Sequence, residues 1–243
     1  MHRALRLDRF FCFLTALAVL ALVTPTYGQQ TQVDRYDLYS GFTAFSTPHL
    51  NLTERGYNFQ AGVNLRSWLA TGFDFAYVSG HSSLTPNMLK PSLAAQIEQQ
   101  IAALEAAHQL PPGYTLSVPT DSTTQTFAAG PQLSYRRWAP VTLFIRPSLG
   151  AVHQTATPHP SPADLFAVAV SHELAPSGKK IDWQGFYGFG GGIDWNLTPH
   201  FAIRTQTDVV YWTLFNDLLD GNWTVRYSVG PTFRFGGNIL HRR

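Results

Sequence analysis

Eleven charged residues in this chain are spaced so that they could act together. Arg66, Arg136, Arg146, Arg204, Arg226 and Arg234 stand against Asp37, Asp74, Asp182, Asp194 and Asp208. Each shares its parity along the chain with glycines and small polar residues, and alternates with aromatic and aliphatic ones. Brought into one narrow enclosure, such nearly balanced charges would neutralise one another, because a lone buried charge is costly. The alternative is a path for ions lined by the same groups. Inward glycines such as Gly41, Gly62, Gly72, Gly150 and Gly190 would leave room for the arginine stems.

The nine histidines suggest metal or acid–base chemistry less well. His153, His159 and His172, with Glu173 beside the last, fall in or next to one insertion. Their spacing fits no compact ligand motif such as His-Glu-x-x-His. Solvated loop histidines are the expectation, with no catalytic residue, no metal and no cofactor. The single cysteine, Cys12, lies in the leader, so no disulfide or cysteine-based metal site is available beyond it.

Strands must position these charges. Residues 222–235 alternate strictly: Trp223, Val225, Tyr227, Val229, Pro231, Phe233 and Phe235 against Asn222, Thr224, Arg226, Ser228, Gly230, Thr232 and Arg234. A period of two over this length is an extended strand with one apolar and one polar face. The aromatics gather toward both ends of the apolar face, as they do where a strand crosses a bilayer. Similar strands are predicted at 36–45, 57–66, 69–78, 125–136, 141–153, 182–196 and 201–212. Tight turns near 67, 138 and 198 alternate with longer loops near 49, 80–124, 155–180 and 216, the asymmetry of short periplasmic turns and long external loops. Leu93, Ile97, Ile101 and Leu104 repeat at helical spacing within 92–110, closed by Pro111-Pro112-Gly113. That helix could fold onto its own loop, cover a barrel mouth, lie on the outer leaflet or bind a partner. A second helix is expected over 165–174 after Ser161-Pro162-Ala163-Asp164. Pro131, Pro147 and Pro231 fall within strands, where proline cannot donate to a ladder, so local bulges are expected there.

The first residues read as a secretory leader over 1–28: Arg3, Arg6 and Arg9, an apolar run over 10–23, then Thr26-Tyr27-Gly28. That run is too short for a spanning helix of about 20 residues. The leader carries three arginines and Asp8, so its removal takes the net charge from +2 to 0 and leaves no basic surplus for nucleic acid. Charged residues make up 13%, against about 25% in an average soluble protein. A chain in a membrane without spanning helices must be a closed barrel, because open sheet edges are not tolerated in lipid. About 215 residues suit eight strands rather than sixteen.

Ser228, Gly230, Phe233 and Phe235 resemble the C-terminal assembly signal of bacterial outer-membrane barrels, although this chain runs on to Arg243. With the alternation and loop asymmetry, residues 36–235 resemble the eight-stranded outer-membrane proteins of the OmpA transmembrane, OmpX and opacity-protein type. The resemblance implies an all-β, eight-stranded antiparallel up-and-down transmembrane barrel with helical insertions in external loops. It would be flanked by a periplasmic segment at 29–35 and a tail at 236–243. It also implies a monomer in the outer membrane, with lipid and the barrel-assembly machinery as partners. A soluble calyx of lipocalin type is the structural rival, with the apolar set turned inward. Three function classes remain: a non-enzymatic surface protein presenting loops for envelope integrity, adhesion or recognition; a narrow channel for small solutes; and a lipid A-modifying enzyme.

Overall fold

A computed structural model describes residues 30–241. The leader at 1–28 lies outside them. Eight strands close on themselves in chain order: β1 (Tyr36–Thr47), β2 (Leu52–Asn64), β3 (Leu69–Leu84), β4 (Val118–Trp138), β5 (Val141–Pro158), β6 (Lys180–Asn196), β7 (Phe201–Trp212) and β8 (Asn222–Phe235). Every neighbouring pair is antiparallel, and β1 closes against β8 with Tyr36 facing Phe235. Closure removes both sheet edges, so the backbone groups of the wall are satisfied within it. Two helices stand in the long loops, α1 (Pro91–Ala106) and α2 (Leu165–Leu174).

Burial decides which face is inside. In β8, Asn222, Thr224, Arg226, Ser228, Thr232 and Arg234 are buried, while Trp223, Tyr227, Val229, Phe233 and Phe235 are exposed. The polar set therefore fills the barrel and the apolar set covers its outside, the reverse of a calyx. The outer rings gather at two levels. At the turn end Tyr36 stacks on Phe235 at 5.4 Å and Phe201 meets Phe233 at 5.1 Å. At the loop end Tyr211 touches both Tyr187 and Trp223.

The strands are longer than alternation alone indicates. β3 runs on to Leu84 and β4 begins at Val118, with Ser79 paired to Thr123 and Ser83 to Pro119. β5 continues to Pro158. These extensions are rich in Ser and Thr and rise beyond the aromatic level, where no apolar outer face is required. β-branched threonines hold the extended conformation there without it.

The prolines need no bulges. Pro131 pairs with Thr71 on one side, while on the other the ladder to β5 passes from Ala129–Leu149 to Leu133–Ile145 in unbroken register. That gap sets Pro131 opposite Pro147, and Pro147 keeps its partner Phe189 on β6. Pro231 likewise pairs with Ile203 on β7 and falls in the skipped step between Tyr39–Thr232 and Phe42–Val229 on β1. An antiparallel residue makes its own hydrogen bonds toward one neighbour only, so proline forfeits that side and keeps the other. The register shift that does occur lies between Tyr135 and Trp138, beside the turn.

Candidate functional site

The strand register sets out the charges in rows around the wall. Arg146 on β5 lies beside Gly190 on β6, then Asp208 on β7, then Arg226 on β8. Asp208 and Arg226 are direct cross-strand partners, with Nε donating to Oδ2 at 2.8 Å. Gly190 makes the rest of the row possible. A Cβ there would sit 1.8 Å from Asp208 Oδ1, in the space the carboxylate needs to meet Arg146 from the other side. Arg146 Nη2 reaches Asp208 Oδ2 at 3.3 Å and, across the lumen, Asp74 Oδ2 on β3 at 2.9 Å. Arg226 Nη1 also donates to Asp74 Oδ1 at 2.7 Å. Two arginines and two aspartates, all buried, thus form one neutral group.

A second group lies nearer the turn end. Arg204 grips Asp194 with both Nε (2.7 Å) and Nη2 (3.0 Å), the two-point geometry that makes arginine–carboxylate pairs strong. Arg234 Nη2 donates to the same carboxylate at 2.6 Å, and Asp37 Oδ1 lies 4.0 Å from Arg204 Nη1. The Arg204 guanidinium lies 4.7 Å from the centre of the Phe144 ring. Gln60 connects the two groups: it accepts from Arg204 Nη1 and donates to Asn58 and Gln206, which in turn donate to Asp74 and Asp208. The network crosses the barrel from β2 to β7.

Three of the charges have other positions. Arg66 lies past the end of β2, exposed in the turn rather than in the lumen, because β2 ends at Asn64 and Leu65 and Arg66 donate backbone N–H groups to Leu69. Asp182 is on the inner face of β6 but above the arginines, and its Oδ2 accepts from Phe215 N–H at 2.6 Å. Arg136 is inside at the turn end, where it donates to Ser67 O and Asn64 Oδ1.

Glu54 is the charged lumen residue that the sequence reading missed. It is 1% exposed and accepts from the Ser122 and Thr124 hydroxyls at 2.7 and 2.8 Å. It lies two residues inside the true start of β2, before the expected start at 57, and shares the parity of Asn58, Gln60 and Asn64, which was the available signal. Without apolar residues at both Thr53 and Arg55, the alternation does not reach it.

The loop end is closed by apolar packing. Inward Phe45, Val78, Val152, Phe186, Val210 and Trp212 form one cluster with Ile97 and Ile101 of α1 and Ala167 and Val170 of α2. The helix at 91–106 therefore covers the barrel mouth, not merely its own loop. Asp164 caps α2 by accepting from Ala167 N–H at 2.9 Å, and its other oxygen takes the Tyr114 hydroxyl at 2.7 Å, tying the two long loops together. Burial, with that bond, pushes the Tyr114 phenol above its ordinary range. Lys90 N–H donates to Leu218 O at 2.8 Å and binds in the last loop.

Beyond the aromatic level, exposed Asp121 takes His81 Nδ1 at 2.5 Å and lies 3.2 Å from His159 Nε2. The His81 hydrogen bond holds the carboxyl below the usual carboxylate range. His153 instead lies against the Trp183 ring, tilted to it with centroids 4.5 Å apart, and His172 lies on α2. Among the described residues no group of three or more His, Cys, Asp or Glu side chains could hold a metal ion. Of the residues that resemble an assembly signal, Ser228 is inward and buried, Gly230 lies against the backbone of Ser40 and Gly41, and Phe233 and Phe235 face outward at the turn end.

A closed, up-and-down ladder of eight strands, with a charged interior and an aromatic-edged apolar exterior, is the fold of the eight-stranded outer-membrane barrels. Neisserial surface protein A has this fold, with a TM-score of 0.51 and 12% identity over 85% of this chain and 100% of that one. OprG of Pseudomonas aeruginosa aligns at 0.48 and 8% identity over 86% and 100%. Ail of Yersinia pestis, solved with the heparin analogue sucrose octasulfate, aligns at 0.45 and 16% over 83% and 97%. No protein-family model and no curated protein matches the chain in sequence.

Proposed function

We propose that this chain is a non-enzymatic protein of a bacterial outer membrane, a monomeric sealed barrel that presents its long loops outward for envelope integrity, adhesion or recognition. The observation that carries the reading is the pairing of eight of the lumen charges with one another. The groups Asp74–Asp208–Arg146–Arg226 and Asp194–Arg204–Arg234–Asp37 fill the barrel, and apolar packing closes the mouth above them. Groups paired this way leave a passing ion few free ligands. The apolar outer band with rings at two levels supports a location in lipid, and the 228–235 segment supports delivery by the barrel-assembly machinery. Single-channel recording of the purified protein in a planar bilayer tests the reading. No steady conductance is expected; a steady one makes the protein a narrow channel. Fractionation with outer membranes and heat-modifiable migration are expected as well, and recovery as a soluble monomer without detergent rejects the location.

A further inference from the structure

Under α2 lies a cavity of about 100 Å³ that the sealed-barrel reading leaves unused. Its walls are mainly aliphatic, with Leu52, Leu84, Val170, Leu174, Phe215 and Leu219 contributed by two strands, α2 and the loop before β8. Dispersion contacts are forfeited along the lining of any unfilled apolar void, and a cavity of roughly 150 Å³ with such a lining stays dry and holds benzene. Ser171 also lines this cavity. It is 8% exposed, and its Oγ has no hydrogen-bond partner. A serine within a helix ordinarily returns its hydroxyl to the carbonyl one turn back, and a buried polar group without a partner carries its full desolvation cost. Ser171 Oγ is thus the one buried polar side-chain atom of this lining without a hydrogen-bond partner, in a surface that is mainly apolar; Ser122 and Thr120 donate to Glu54 and Val118 O.

The one charged side chain in the cavity lining is already answered. Lys180 on its wall pairs with Asp217. Ser122 on its wall gives its hydroxyl to buried Glu54.

We infer that this cavity binds a compact neutral molecule, with an alkyl or aromatic body seated among the leucines and a single hydroxyl or carbonyl at Ser171. This gives the outward loops of the proposed function a ligand class, and it rests on that reading only for their access to the outside. The site itself is tested on isolated protein, separately from conductance. The probes are phenol and benzene, added to full-length barrel in lipid nanodiscs with isotope-labelled Leu and Val methyls. Val170, Leu174 and Leu219 methyls are expected to shift saturably. Val209 and Val229, which face outward, report partition into lipid. Ser171→Ala is expected to weaken phenol about fivefold, the worth of one hydrogen bond, and to leave benzene unchanged. Ala156→Leu, which fills the space, is expected to abolish both. Shifts that rise without saturation in step with Val209 and Val229 overturn the site. So does binding that survives Ala156→Leu, or a Ser171→Ala effect equal for the two probes.

Discussion

Asp208 on β7 and Arg226 on β8 face each other directly across the ladder and are both almost wholly buried, at 1% and 3% exposed. Opposite charges at such a position attract. Arg226 also holds Asp74 across the lumen, so the pair belongs to a group in which removing one member strands another. Asp208→Ala is expected to cost on the order of 3–5 kcal/mol. Asp208→Ala with Arg226→Ala should cost less than the two single changes added together. A double-mutant cycle in urea unfolding measures this, and simple additivity would show that the two charges are not coupled.

Gly190 should be intolerant of a methyl group. The added Cβ meets the Asp208 carboxylate, which Arg226 and Arg146 hold in place. Gly190→Ala is expected to destabilise by about 1–3 kcal/mol, as overpacking does. Gly185, on the same strand, is the control, since the nearest atom to its added Cβ is Gly150 O at 3.9 Å. Gly185→Ala should leave the unfolding midpoint nearly unchanged.

Excision of 91–106 with a short glycine bridge should leave the eight-stranded ladder intact, because the helix is packed on the barrel and not paired into it. It should uncover the apolar mouth that Ile97 and Ile101 cover. Circular dichroism should keep its strand signal while binding of an environment-sensitive apolar dye increases. Loss of the strand signal would make α1 part of the folding core.

Phe233→Ser together with Phe235→Ser should lower the yield of inserted barrel, because these residues present the outward rings of the assembly-signal pattern at the turn end. The amount of heat-modifiable protein measures the effect. An unchanged yield would place recognition elsewhere in the chain.

Asp121 should titrate below the ordinary carboxylate range, and His81→Ala should bring it back up, since the His81 hydrogen bond is the first cause of its depression. The sign follows from linkage. A carboxyl depressed in the folded state contributes stability above its unfolded value, lost as pH falls through the folded value. Carboxyl-carbon chemical shifts against pH provide the check; identical titration in both proteins would remove His81 as the cause.

Alternation by itself determined the wall. In β8 the period of two assigns Arg226 and Arg234 to one face and Phe233 and Phe235 to the other, because successive side chains of a strand must point opposite ways. A simple hairpin then places Asp208 against Arg226, since β7 and β8 are consecutive and their turn fixes the register. Where no apolar outer face was required, alternation was silent. Residues 79–84 and 118–124 pair as strand although their Ser and Thr carry no contrast, and Glu54 went unread for the same reason. The prolines were also undecidable locally, because whether one can be tolerated depends on which neighbour its missing N–H would have faced. Only closure decided the rest. Arg226 meets Asp74 across 152 residues of chain, and Arg146 meets both Asp74 and Asp208, because β3, β5, β7 and β8 look into one lumen. No periodicity along a single strand can specify a contact across a cylinder. That contact depends on the number of strands and their registers, and on glycines such as Gly190 that leave room for the side chains to cross.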